Sequence, residues 1–294
     1  MAAVTRPRRS VLYMPGSNPR ALDKGRALAC DAIVMDLEDA VAAEAKQSAR
    51  DAIAAALAAG GYGARELLIR VNGLDTRWGV DDLAFAAGQP VQGVILPKVE
   101  SGDAVRKAEA LLQEQGAPDD VALWCMVETP RGVLAAQEIA ASTPRMAGLM
   151  MGTNDLAKDL HCLQTPDRLP MITALGLCLL AARAYGLAIL DGVYADLNDE
   201  EGFAAACRQG VELGFDGKTL IHPKTIATAN AAFAPDPAQI AWARKIAAAH
   251  ADAVAAGKGV LQVDGKLVEA LHVAEAQRLV EMAEQIAALE RTGA

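Results

Sequence analysis

Two carboxylates stand at the ends of apolar runs, Glu128 after ALWCMV and Asp155 after AGLMMGTN. Two acids on neighbouring strand ends make a site for a hard cation, because Mg²⁺ takes oxygen ligands, commonly one or two carboxylates completed by water and substrate. Arg70, which closes ELLIR, is a candidate partner across such a site. A guanidinium grips a carboxylate with two parallel hydrogen bonds, whereas lysine offers a point charge. The trio therefore suggests an anionic substrate held between a guanidinium and a cation. Each residue also has a plainer reading: Glu128 as the cap of a helix opening at Pro130, Asp155 as a first-turn helix acid, Arg70 as the ion-pair partner of Asp36 or Glu38. Lys98 in LPKVE is a conceivable Schiff-base lysine, but the acids near it favour a charged structural role. His222 in IHP reads as a rim histidine rather than a base. Neither Ser nor Cys sits in a nucleophile elbow, so acyl-enzyme chemistry has no candidate.

These residues must be carried by something regular, and the chain supplies it. From Arg9 onward, short apolar runs alternate with helical patterns: SVLYM, DAIVMDLED, ELLIRVN, QGVILPKVE, ALWCMVE, AGLMMGTND, LAILDGV and FDGKTLIHP are each followed by a helix or helical turn. Continuous apolar runs are the mark of buried parallel strands. Eight such units fit an α/β fold of the closed (β/α)₈ TIM-barrel type better than an open doubly wound sheet. No GxGxxG follows the first strand. The polar residues at the run ends are Tyr13, Asp36 with Glu38 and Asp39, Arg70 with Asn72, Lys98 with Glu100, Glu128, Asp155, Asp191, and Lys218 with His222. All are expected on the C-terminal rim, where barrels build their chemistry.

Beyond residue 232 the beat stops. A helix opened by Pro235 and Pro237 and stopped by Gly257 precedes two β-prone arms joined by Asp264-Gly265, a two-residue hairpin signal. A last amphipathic helix is expected over about Ala274 to Leu289. The division is thus a catalytic barrel over 1–232 and a helix-hairpin-helix extension over 233–294, either a lid over its own barrel mouth or an arm onto a neighbouring subunit.

Of the 294 residues, 52% are hydrophobic and 22% charged, ample for a large core and unlike a disordered chain. A net charge of −9 without a block of like charges argues against nucleic acid and anionic membranes as partners. Five dispersed cysteines, mostly inside apolar runs and with no CxxC pair, read as reduced thiols of a cytoplasmic protein. The basic N-terminus lacks a signal-peptide core, and no apolar stretch is long enough to cross a membrane.

The strings RSVLYMPGS, DAIVMDLEDAV, IRVNG, LPKVE, VET, MGTNDLA, DGVYADLNDEEG, GFDGKTLIHP and VDGKLVEALHV resemble the citrate lyase β-subunit-like branch of the HpcH/HpaI aldolase superfamily, over about Arg9 to Ala288. Within it the chain is most similar to lyases and thioesterases acting on malyl-CoA. The resemblance implies a Mg²⁺-dependent barrel, with Mn²⁺ able to substitute, that takes coenzyme A as part of its substrate and forms a homo-oligomer, often a trimer or hexamer. It implies Glu128 and Asp155 as metal ligands, Glu128 also touching substrate, and Arg70 as the residue holding substrate. Tyr13, Asn18 and Lys24 are implied as coenzyme A contacts, although Asn18 stands where some relatives have arginine. Asp36 and Glu38 match the family's DLED segment at the site. Glu269 stands where lyases of the family commonly carry an aspartate that acts as acid or base from an adjacent subunit. The extra methylene shifts its reach by about an ångström, enough to cost a large factor in rate.

The resemblance implies reversible carbon-carbon cleavage of malyl-CoA, or of β-methylmalyl-CoA or citramalyl-CoA, to acetyl-CoA or propionyl-CoA and a 2-oxo acid. One alternative is hydrolysis of malyl-CoA to malate and coenzyme A; another is a citrate lyase β subunit docking an acyl-carrier protein.

Overall fold

The structure is a computed structural model that describes residues 6–255 and 261–291. The expected strands form as β1 (Ser10–Pro15), β2 (Ala32–Asp36), β3 (Glu66–Arg70), β4 (Gly93–Leu96), β5 (Ala122–Val127), β6 (Met146–Met151), β7 (Ala188–Asp191) and β8 (Gly217–Leu220). They pair in parallel in sequence order, and β8 closes on β1, giving the (β/α)₈ barrel.

Alternation along each strand makes two apolar layers. Val11, Val34, Leu68, Ile95, Trp124, Met126, Met150 and Leu190 fill the barrel interior. Their neighbours Leu12, Met14, Ile33, Met35, Ile69, Val94, Leu123 and Leu149 pack outward against the helices. The indole of Trp124 is accommodated because Gly148 has no Cβ, which would overlap the ring. Arg8, entering β1, lies 4.8 Å over that ring, so the end of the barrel remote from the rim acids is plugged.

Two local readings change. A single helix was expected after β5, but Pro130–Leu134 and Ala136–Ala140 are separate helices, because Ala135 leaves the helical region at φ −93, ψ 5. The apolar run before Asp155 does not reach it as strand. β6 stops at Met151, Gly152 donates its N–H to Val127 O, and Asp155 lies in the first turn of the helix Thr153–Asp159.

The described residues form two compact units, Arg8–Phe233 and the segment beginning at Ala234 together with residues 6–7. The second contains the helix Pro237–Ala255, a hairpin of β9 (Leu261–Val263) and β10 (Lys266–Val268), and the helix Ala270–Arg291. Asp264 and Gly265 have φ of 46° and 78°, the left-handed pair that a tight two-residue hairpin turn requires. Ala243, Ile246, Val263, Val268, Val273 and Ala276 make a small separate core. The last helix begins before the expected Ala274, and Glu269 N–H bonds back to His272 Nδ1 at its start. Gly257, expected to stop the preceding helix, lies outside the described residues. Among the described residues no helix is long and apolar enough to cross a membrane.

Candidate active site

Strand register builds the first half of the rim. Asp36 and Arg70 are direct partners at the ends of β2 and β3. Asp36 Oδ1 accepts from Arg70 Nε at 2.7 Å and from Glu38 N at 2.9 Å; Oδ2 accepts from Arg70 Nη2 at 2.6 Å and from Ala40 N at 3.1 Å. All four lone-pair positions of this fully buried carboxylate are used. The Arg70–Asp36 ion pair of the plainer reading is therefore present, and it takes two of the five N–H donors of the guanidinium. With both oxygens engaged in this way, Asp36 holds Arg70 in one orientation. The remaining Nη1 edge lies 2.8 Å from Glu38 Oε2 and 3.6 Å from Met126 Sδ. The Tyr13 ring stacks 4.8 Å from the guanidinium, and burial pushes the Tyr13 phenol up from its ordinary value, so it stays neutral.

β4, β5 and β6 supply the second half. Glu128, only 3% exposed, follows β5, and its Oε1 accepts the Lys98 N–H at 2.8 Å. It does not cap the next helix; Thr129 does, accepting from Gly132 N. Its carboxylate lies over Gly152, where a Cβ would overlap both Glu128 Cβ and Oε2. Burial pushes the Glu128 carboxyl up to about 7, opposed by the Lys98 hydrogen bond. Lys98 has a left-handed φ of 48°, a conformation that costs a non-glycine residue on the order of 1–3 kcal/mol. Its Nζ lies 2.6 Å from Glu38 Oε1, 3.6 Å from Asp155 Oδ2 and 3.8 Å from Asp39 Oδ1. Glu38 thus stands between the two cations; burial raises its carboxyl, and Oε2 has an ion-pair distance to Arg70 without a well-formed hydrogen bond.

Lys46 is a supporting residue that sequence reasoning missed. Buried, it donates to Leu37 O, Glu38 O and Asn72 Oδ1, pinning the DLED turn against the segment after β3. A lone lysine opening an alanine-rich helix was the available signal. Met126, between Tyr13 and Arg70, was also missed, although it lies two residues before Glu128 and so shares a strand face with Trp124. Beside Glu38 and Lys98 opens a cavity of about 560 Å³ lined also by Asn72, Asp75, Thr76 and Ser101.

Other expected residues fall elsewhere. Asn18 and Lys24 follow β1 on the helix Pro19–Gly25; Asn18 Oδ1 caps it by accepting from Ala21 N, and Lys24 is exposed in its last turn. Glu269 is exposed in the second unit. Asp191 and Lys218 do not face the rim. Lys218 is the second residue of β8, and the fully buried Asp191 binds it at 2.7 Å and Arg168 at 2.6 Å. The reason is strand alternation, which turns Asp191 toward Gly210 on the outer helix. His222 is exposed and caps the turn at Pro223.

The donors available for a metal are carboxylates alone. Among the described residues no three or more His, Cys, Asp or Glu form a complete cage. Glu128 accepts the Lys98 N–H and Asp155 lies 3.6 Å from Lys98 Nζ; two acids of this kind, with water or substrate completing the shell, would be a donor set suited to Mg²⁺.

Comparison with known proteins agrees in kind. The chain is 50% identical over 288 residues to a (3S)-malyl-CoA thioesterase of Cereibacter sphaeroides, covering 98% of this chain and 99% of that one. It is 36% identical over 281 residues to citrate lyase subunit beta of Leuconostoc mesenteroides subsp. cremoris, covering 94% and 93%. A crystal structure of protein CitE from Mycobacterium tuberculosis in complex with magnesium, acetoacetate and coenzyme A superposes with a TM-score of 0.73 at 30% identity, covering 97% of this chain and 100% of that one. The model of the HpcH/HpaI aldolase/citrate lyase family matches residues 9–223, and the chain belongs to that family.

Proposed function

We propose that this protein is a Mg²⁺-dependent enzyme acting on malyl-CoA or a close 3-hydroxyacyl-CoA, and that it hydrolyses the thioester to malate and coenzyme A. The observation that carries this reading is 50% identity, along 98% of the chain, to a protein named for that hydrolysis. Glu269 supports it, standing where the family's lyases commonly have aspartate. Carbon-carbon cleavage to acetyl-CoA and a 2-oxo acid is the second reading, supported by the 36% identity to citrate lyase subunit beta.

Glu128 and Asp155 would hold the ion. When bound, Mg²⁺ polarises oxygens and offsets their negative charge. Arg70 presents Nη1 to the substrate while Asp36 holds the rest of the guanidinium still, so a donor is already aimed where charge grows on the thioester carbonyl oxygen. Tyr13 and Met126 shield that guanidinium from water, which strengthens its pull. Glu269, reaching in from an adjacent subunit, would take the proton of the attacking water, a task for a positioned carboxylate. The breaking bond is the acyl C–S bond, and the thiolate leaves with the proton that Glu269 returns. Lys24 and Asn18 would meet the polar end of coenzyme A at the β1 rim. A cytoplasmic homo-oligomer, trimer or hexamer, belongs to the same reading; sedimentation of the purified protein tests the subunit number.

Incubation with malyl-CoA and Mg²⁺ decides the reaction. Malate and free coenzyme A without glyoxylate support hydrolysis. Glyoxylate with acetyl-CoA replaces it by cleavage. Inertness toward free esters, with turnover of a citryl acyl-carrier protein, replaces both by the citrate lyase reading.

A further inference from the structure

Lys98 touches more of the acidic rim than its own strand position demands. Its peptide N–H holds Glu128, and its ammonium sits against Glu38 with Asp155 and Asp39 within 4 Å. A lysine does not adopt a φ of 48° for ease; here the turn throws both the N–H and the side chain onto carboxylates. The side chain is 45% exposed and that of Asp155 32%, so the ammonium stands at the mouth through which an ion from solvent would enter.

We propose that Lys98 is a positioning residue that acts as the resident counter-cation of this cluster. Its N–H orients Glu128, its ammonium keeps Glu38 and Asp155 together in metal-free protein, and a divalent ion taken up by Glu128 and Asp155 displaces that ammonium from Asp155. The inference rests on the reading of Glu128 and Asp155 as metal ligands. Its consequence is that the protein's affinity for the ion is set by competition. Like charges a few ångströms apart in a half-buried setting repel strongly enough to shift an equilibrium by about tenfold or more.

The test is calorimetric titration of the full-length, metal-free protein with MnCl₂ and MgCl₂, comparing wild type, Lys98→Met and Lys98→Arg. Methionine keeps the N–H and removes the charge; arginine keeps both. Lys98→Met is expected to bind Mn²⁺ about tenfold more tightly than wild type, with Lys98→Arg close to wild type. Without metal, Lys98→Met is expected to melt lower than wild type, and added Mn²⁺ to raise its melting temperature by more. Lys98→Gln serves for the same titration if the methionine variant does not fold. Equal or weaker binding by the neutral variant, with wild-type binding intact, overturns this inference and leaves the metal ligands standing. No binding by any of the proteins overturns the ligand assignment and this inference together.

Discussion

Asp36 takes Nε and Nη2 of Arg70, at 2.7 and 2.6 Å, from the directly opposed position on the neighbouring strand. The pair is buried at the rim, so the aspartate has the geometry of a substrate carboxylate while belonging to the scaffold. What is left of the guanidinium is a single edge, held in one orientation.

Arg70→Lys therefore fails twice. Lysine cannot satisfy both Asp36 oxygens and still present a donor to substrate. Turnover is expected to fall more than tenfold, and because a buried carboxylate loses part of its pairing while a positive charge remains, stability is expected to drop by less than the about 3–5 kcal/mol that losing the whole partner would cost. Steady-state kinetics and urea unfolding measure the two losses; a near-wild-type rate would remove Arg70 from the chemistry.

Glu128→Gln and Asp155→Asn are each expected to abolish Mg²⁺-dependent turnover in protein that remains folded, since neither change opens a cavity in the core. Activity titrated against Mg²⁺, with circular dichroism as the folding control, checks this. Full activity in both variants would dismiss the pair as ligands.

Gly152→Ala places a methyl group where Glu128 Cβ and Oε2 lie. The glutamate must move, so turnover is expected to fall at least tenfold, by the sensitivity of catalysis to displacements of about an ångström. The melting temperature should fall as well, because Glu128 Cβ is carried by the backbone and side-chain rotation alone does not clear the overlap. Unchanged kinetics would show that Glu128 tolerates displacement.

Burial moves the Glu128 carboxyl from its ordinary 4.5 up to about 7. Between those values the folded protein keeps a proton that the unfolded chain has released. Stability of the metal-free protein is therefore greatest below the unfolded value and is lost as pH rises through about 7, by about 3 kcal/mol. Thermal melts in chelator from about pH 4.5 to 7.5 should decline in wild type and be flatter in Glu128→Gln. Parallel curves would refute the shift.

Glu269→Ala should remove turnover while leaving the melting transition of the barrel in place, because Glu269 is exposed and belongs to the other compact unit. Retained turnover would exclude it as the proton-accepting group.

The alternation of apolar runs with helical patterns was enough to specify eight parallel strands and a closed barrel, because hydrophobic periodicity is a local property that each segment carries by itself. The hairpin at Asp264-Gly265 was legible for the same reason: left-handed backbone demands residues that tolerate it. Run ends also pointed to Arg70, Glu128 and Asp155. Their partners were legible only as alternatives, Asp36 or Glu38 for Arg70, with no choice between them. Asp36 and Glu38 are two residues apart in one motif, yet strand register seats Asp36 on Arg70 and leaves Glu38 between Arg70 and Lys98. Asp191 and Lys218 looked like rim residues until strand alternation turned them onto each other beneath a helix. Which charge meets which depends on side-chain direction and on spacing across strands distant in the chain, and only closure of the barrel decides those.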